Sequence, residues 1–92
     1  MNKVRLKVLY SGHVQGVGFR YTVKSIAPGY ELCGTIRNLD DGRVELICEG
    51  DKDELLAFCE AIRNSGLGRF IRSEDMQWQE AKNDLKGFSI IG

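Results

Sequence analysis

Hydrophobic side chains recur every second residue in the opening segment, where Val4, Leu6, Val8 and Tyr10 alternate with Lys3, Arg5 and Lys7. Successive side chains of an extended chain point to opposite faces, so this spacing predicts a half-buried strand. The period changes after a glycine-rich stretch. In "FRYTVKSIA", Phe19, Val23, Ile26 and Ala27 recur at helical spacing, and Pro28-Gly29 breaks the helix early. "ELCGTIRN" and "RVELICEG" read as two strands, and the "LDDG" between them marks a hairpin. Val44, Leu46 and Cys48 share one face of that hairpin, with Leu32, Gly34 and Ile36 on the partner strand. Leu55, Phe58, Cys59 and Ile62 form the buried stripe of a second helix. Asp51 is its expected cap, with Glu54 reaching back, and Asn64-Ser65-Gly66 ends it. Ile71, Met76 and Trp78 predict a fourth strand, and Phe88 and Ile90 a short fifth. Tyr10, Met76 and Trp78 are expected to be packing residues.

The order strand, helix, strand, strand, helix, strand is a split β-α-β-β-α-β pattern. It predicts an α+β fold with two helices on one face of an antiparallel sheet. Residues 1–92 contain no repeat, linker or low-complexity segment and read as one domain. No run approaches the ~20 apolar residues of a membrane span. The N-terminus alternates instead of forming an apolar leader, so a cytoplasmic protein is expected. Thirteen basic and 13 acidic side chains balance, which argues against a broad nucleic-acid or membrane face. A small anion needs only a local positive site. Cys33, Cys48 and Cys59 are odd in number and lack paired spacing, so three buried thiols are expected. Cys33 and Cys48 would point to opposite faces. With one histidine, His13, and no C-x-x-C, the chain offers no zinc site.

The informative stretch is "SGHVQGVGFR", residues 11–20, which lies between the first strand and the first helix. Backbone N–H groups at a helix start have no intrahelical partner and sit at the positive end of the dipole. Glycines let successive N–H groups turn inward as an anion nest, and Arg20 adds a planar fork of donors. The same features also describe an ordinary glycine-rich turn. Neither common nucleotide loop fits. Phe19-Arg20 follows Gly18 where a P-loop needs Lys and Ser/Thr, and Tyr21 stands at the last glycine of a dinucleotide fingerprint.

"GHVQGVGFR" resembles the acylphosphatase signature G-x-V-Q-G-V-x-[FY]-R, with Gly12, Val14, Gln15, Gly16, Val17, Phe19 and Arg20 at its defined positions. "GTIRNLDDGRVELICEG", residues 34–50, resembles the family's second signature, and "GFSI", residues 87–90, its close. The resemblance spans nearly the whole chain. It implies a small cytosolic, monomeric enzyme with a ferredoxin-like α/β sandwich. Such an enzyme hydrolyses the carboxyl–phosphate anhydride of acyl phosphates without a cofactor or metal. It further implies that Arg20 grips the phosphate and Asn38 positions the attacking water. The remaining donors would come from the backbone of Gln15, Gly16, Val17, Gly18 and Phe19. Without the resemblance, Asn38 reads as a turn residue before "LDDG".

Each other residue of the stretch has an expected place. Gln15 braces the loop through its amide, Phe19 and Val17 pack beneath it, and His13 lies at the rim. Two departures from the family pattern stand out. Thr35 replaces an aromatic and is expected on the open sheet face, and Pro28-Gly29 shortens the first helix. A non-catalytic anion- or ligand-binding module on the same fold is the alternative. Acylphosphatase-like domains also open larger hydrogenase-maturation proteins. An end at Gly92 is expected of a free enzyme.

Overall fold

A computed structural model describes residues 3–92. The alternating opening segment forms β1 (Lys3–Gly12), followed by α1 (Phe19–Ile26), β2 (Leu32–Asn38) and β3 (Val44–Asp51). α2 (Lys52–Asn64), β4 (Ile71–Glu80) and β5 (Phe88–Ile90) complete the chain. Short 3₁₀ turns at Ala27–Gly29 and Gly68–Phe70 follow the two helices. Pro28 lies in the first of these, so α1 ends after eight residues.

The sheet order is β4-β1-β3-β2-β5, and β1, β2, β3 and β4 pair antiparallel. β5 departs from the expected antiparallel sheet because it pairs with β2 in parallel. The register explains the reversal. Glu80, at the end of β4, and Leu32, at the start of β2, lie at the same end of the sheet, beside Val4 and Gly50. A chain that leaves β4 and crosses that end reaches the far edge running in the direction of β2.

Alternation places Leu6, Val8 and Tyr10 opposite Cys48, Leu46 and Val44 on one face. Phe19 and Val23 of α1 and Leu55, Phe58, Cys59 and Ile62 of α2 join them in one buried cluster, so both helices cover the same face. The other face is not simply open. Arg5 is 7% exposed and Glu49 1%, although both alternate with core residues. Residues 81–87 account for this, since they cross between the two sheet edges. The Glu49 carboxylate accepts the N–H groups of Lys82 and Asn83 at 2.8 and 3.1 Å. Arg5 Nε donates to Glu49 at 2.6 Å, and an Arg5 terminal nitrogen donates to Asp84. Glu45, also buried, pairs with Arg37 at 2.8 Å and Lys7 at 3.6 Å.

Three local expectations need correction. Asp51 occupies the cap position of α2 but its side chain caps nothing, and the Glu54 carboxylate accepts the Glu31 N–H at 2.8 Å instead of reaching back. Trp78 is 40% exposed, because it stands on the edge strand β4, where the Lys52 ammonium at the start of α2 lies over its ring. Of the cysteines, Cys48 and Cys59 are buried but Cys33 is only half-buried, being on the opposite face from Cys48. All three are free. Thr35 pairs with Ile47 on that same face and is half-buried.

Candidate active site

β1 ends in a register shift at Ser11/Gly12. A side chain at position 12 would put its Cβ 2.4 Å from the Phe70 carbonyl, so only glycine lets the chain pass β4 this closely. The His13 N–H then donates to Phe70 O at 3.0 Å, and its imidazole, exposed, faces the Phe70 ring. Val14 and Phe19 are buried at the two ends of the loop between them, with the Phe19 ring 5.0 Å from that of Tyr10. Two core anchors thus hold a four-residue arch.

Gly16 and Gly18 take φ of +78° and +75°, a backbone conformation that side chains oppose. No atom lies within 4 Å of where their Cβ atoms would be, so they face open space. Gly18 is the cap position of α1, no side chain caps that helix, and no acidic residue occupies its first turn. Among the described residues, the backbone N–H groups of residues 15–20 donate to no backbone carbonyl. The arch therefore collects donors at the positive end of α1.

Arg20 is half-buried on the first turn of α1 and has no carboxylate partner among the described residues. Asn38 is the last residue of β2 and lies opposite Val44, on the helix-covered side. Gln15 ties the two regions together. Its amide Nε2 donates to Leu39 O at 2.8 Å and Arg43 O at 3.0 Å, the carbonyls at the base of the β2–β3 hairpin. That base is closed by the Leu39 N–H donating to Arg43 O at 2.8 Å. The residue after Asn38 is thereby clamped to the residue before Gly16.

A cavity of about 110 Å³ opens between them, walled by Gly16, Gly18, Phe19, Arg20, Tyr21 and Asn38 over Val14. Of the residues expected at the site, Arg20, Asn38, Gly16, Gly18 and Phe19 meet here. Gln15 and Val17 do not form its wall: Gln15 braces, and the Val17 side chain packs against the core. Tyr21, 70% exposed, is a wall residue that the motif did not single out. Its only signal was adjacency to Arg20 on the first helical turn. The wall holds a guanidinium, an amide, a phenol and glycyl backbone, with no carboxylate, imidazole or thiol. Burial, together with nearby Glu74, pushes the Cys59 thiol up to about 11, and Cys48 goes further in the same direction, so both remain protonated thiols of the core. Among the described residues, no three His, Cys, Asp or Glu side chains are grouped to hold a metal ion. No described helix is long and apolar enough to cross a membrane.

A ferredoxin-like sandwich with a donor-lined cavity at its β1–α1 turn is the class of protein that fold and cavity define. The acylphosphatase family model matches residues 6–90. An acylphosphatase of Bacillus subtilis is 38% identical over 91 residues, covering 96% of this chain and 97% of its own. One of Methanospirillum hungatei is 42% identical over 87 residues, covering 95% and 92%. The crystal structure of acylphosphatase from Bacillus subtilis superposes with a TM-score of 0.87 at 34% identity, covering 97% of this chain and 99% of that one. The chain belongs to the acylphosphatase family, a family of enzymes.

Proposed function

We propose that the protein hydrolyses the carboxyl–phosphate anhydride of acyl phosphates, with Arg20 and the backbone of residues 15–19 holding the phosphate and Asn38 orienting the water. The observation that carries this reading is the meeting of Arg20 and Asn38 on one cavity wall, from positions eighteen residues apart. An acyl phosphate expels a carboxylate, a weak base that departs without being protonated. The protein is then left with positioning and with stabilising charge on the phosphoryl oxygens. A wall of donors is suited to that work. The Arg20 fork matches two phosphoryl oxygens, and the unpartnered N–H groups face the same charge. The Asn38 amide oxygen can accept a hydrogen bond from water, which fixes its lone pair toward phosphorus without removing a proton. The reading includes a monomer acting in the cytoplasm without metal, cofactor, nucleic acid or membrane.

The test is hydrolysis of benzoyl phosphate by the purified protein with EDTA present. Turnover is expected to persist in EDTA. Asn38→Ala should lose turnover while inorganic phosphate still binds with its parent affinity. A parent protein that bound phosphate without hydrolysing benzoyl phosphate would be a binding module instead. Equal loss of phosphate binding and turnover in Asn38→Ala would make that residue structural.

A further inference from the structure

The cavity between Arg20 and Asn38 measures about 110 Å³, well below the ~300 Å³ at which pockets begin to enclose a whole drug-sized ligand. A phosphoryl group held there leaves little room beside it, so an acyl group larger than acetyl projects through the mouth. The exposure of the wall residues locates that mouth. Val14 and Phe19 are buried and Arg20 and Asn38 half-buried, whereas the two glycines and Tyr21 are exposed. Glycine has no side chain, so Tyr21, 70% exposed, carries the one exposed side chain of the wall.

Tyr21 follows Arg20 on the first turn of α1. The Cα–Cβ bonds of a helix tilt toward its N-terminus, so a long side chain on the first turn leans back over the segment that precedes the helix, here the arch. The Tyr21 ring pairs with no other aromatic ring among the described residues, so the core does not use it. We infer that Tyr21 is the acyl-contacting residue of this site, its ring stacking on flat, aromatic acyl groups where they leave the cavity. Offset aromatic pairs gain more than the burial of their area alone, which an aliphatic or acetyl group cannot match. The wall brings no second cation to the mouth, so a flat apolar group suits it better than a further anionic one. This inference rests on the hydrolase reading.

The experiment compares benzoyl phosphate and acetyl phosphate on the parent protein, Tyr21→Ala and Tyr21→Phe. Tyr21 is exposed, so both variants should keep the parent's melting temperature. The ratio of kcat/KM for benzoyl phosphate to that for acetyl phosphate should fall roughly fivefold in Tyr21→Ala, the usual worth of one aromatic pair. Most of that fall should lie in KM for benzoyl phosphate. Tyr21→Phe keeps the ring and should keep the parent ratio. Equal losses for both substrates in Tyr21→Ala, which leave the ratio unchanged, would mark a structural role and overturn the contact. A Tyr21→Phe ratio as low as that of Tyr21→Ala would overturn it too, since the ring would not be what the acyl group meets. Hydrolysis of neither substrate by the parent would remove the hydrolase reading and the contact with it. Hydrolysis of both, with a ratio indifferent to Tyr21→Ala, would remove the contact and leave the hydrolase reading standing.

Discussion

Arg5 and Arg20 are the same residue type at opposite ends of one sheet, and they are treated in opposite ways. Arg5 lies under the crossing segment with its guanidinium donating to Glu49 and Asp84, and Glu49 accepts two further backbone N–H groups. Among the described residues, Arg20 lies beside an arch whose N–H groups have no backbone acceptors, and it has no carboxylate partner. A buried charge must be paired, because desolvation without compensation is very costly. At the arch, partial exposure leaves water to satisfy the donors, and under the proposed function an anion would take its place. One end of the sheet is closed electrostatically, and the other is left open.

The sharpest break between the two is functional. Arg20→Ala should lower turnover of benzoyl phosphate by at least ~10²–10³, the usual effect of losing an oriented donor in a transition state. Its unfolding free energy should stay close to the parent's. A large loss of stability on chemical denaturation would mean that Arg20 is structural too. Arg5→Ala should do the reverse. Leaving Glu49 buried with only its backbone donors is expected to cost about 3 kcal/mol of stability, while benzoyl phosphate turnover per folded molecule is kept. Paired denaturation curves and steady-state rates on the two variants test this crossing directly.

The closed end also predicts a pH dependence. Burial alone would push the Glu49 carboxyl up, but the Lys82 and Asn83 N–H groups and the Arg5 guanidinium outweigh it and hold the carboxyl below its usual range. A carboxyl depressed in the folded state stabilises the fold fully above its unfolded pKa, about 4.3 for glutamate. That contribution is lost as pH falls below this value and through the folded one. Denaturation midpoints should therefore fall in acid, and Glu49→Gln should flatten that acid limb. An unchanged slope in Glu49→Gln would assign the acid sensitivity to other carboxylates.

The smallest effect belongs to Gln15, which joins the arch to the hairpin. Gln15→Leu keeps the bulk of the side chain and removes both bonds to Leu39 O and Arg43 O. Turnover should fall by roughly tenfold, as expected for a supporting contact that positions another group, with phosphate affinity nearly unchanged. In an Asn38→Ala background the same change should have no further effect on rate. A persistent tenfold loss there would show that Gln15 acts independently of Asn38.

Local chemistry determined a good deal. Period two in β1, the helical stripe of α2 and the breaker Pro28-Gly29 specified elements that the structure reproduces, because each depends on neighbours along the chain. Gly16 and Gly18 read as glycines that let the backbone turn inward before a helix, and both take positive φ there. What depended on distant residues was not legible. Arg5 and Glu49 alternate with core positions and so read as solvent-facing; only the passage of residues 81–87 buries them. The parallel pairing of β5 follows from the end of the sheet at which β4 finishes, a property of the whole topology. Asn38 by itself reads as a turn residue. It joins Arg20 at one cavity because β2 and β1 are separated only by β3, and because the Gln15 amide reaches across to the hairpin. Tyr21 became a wall residue through the fold, its one signal in the sequence being adjacency to Arg20. Sequence determined which segments could form and where an anion could be held. Tertiary structure decided what each charge faces, because burial is set by elements far apart in the chain.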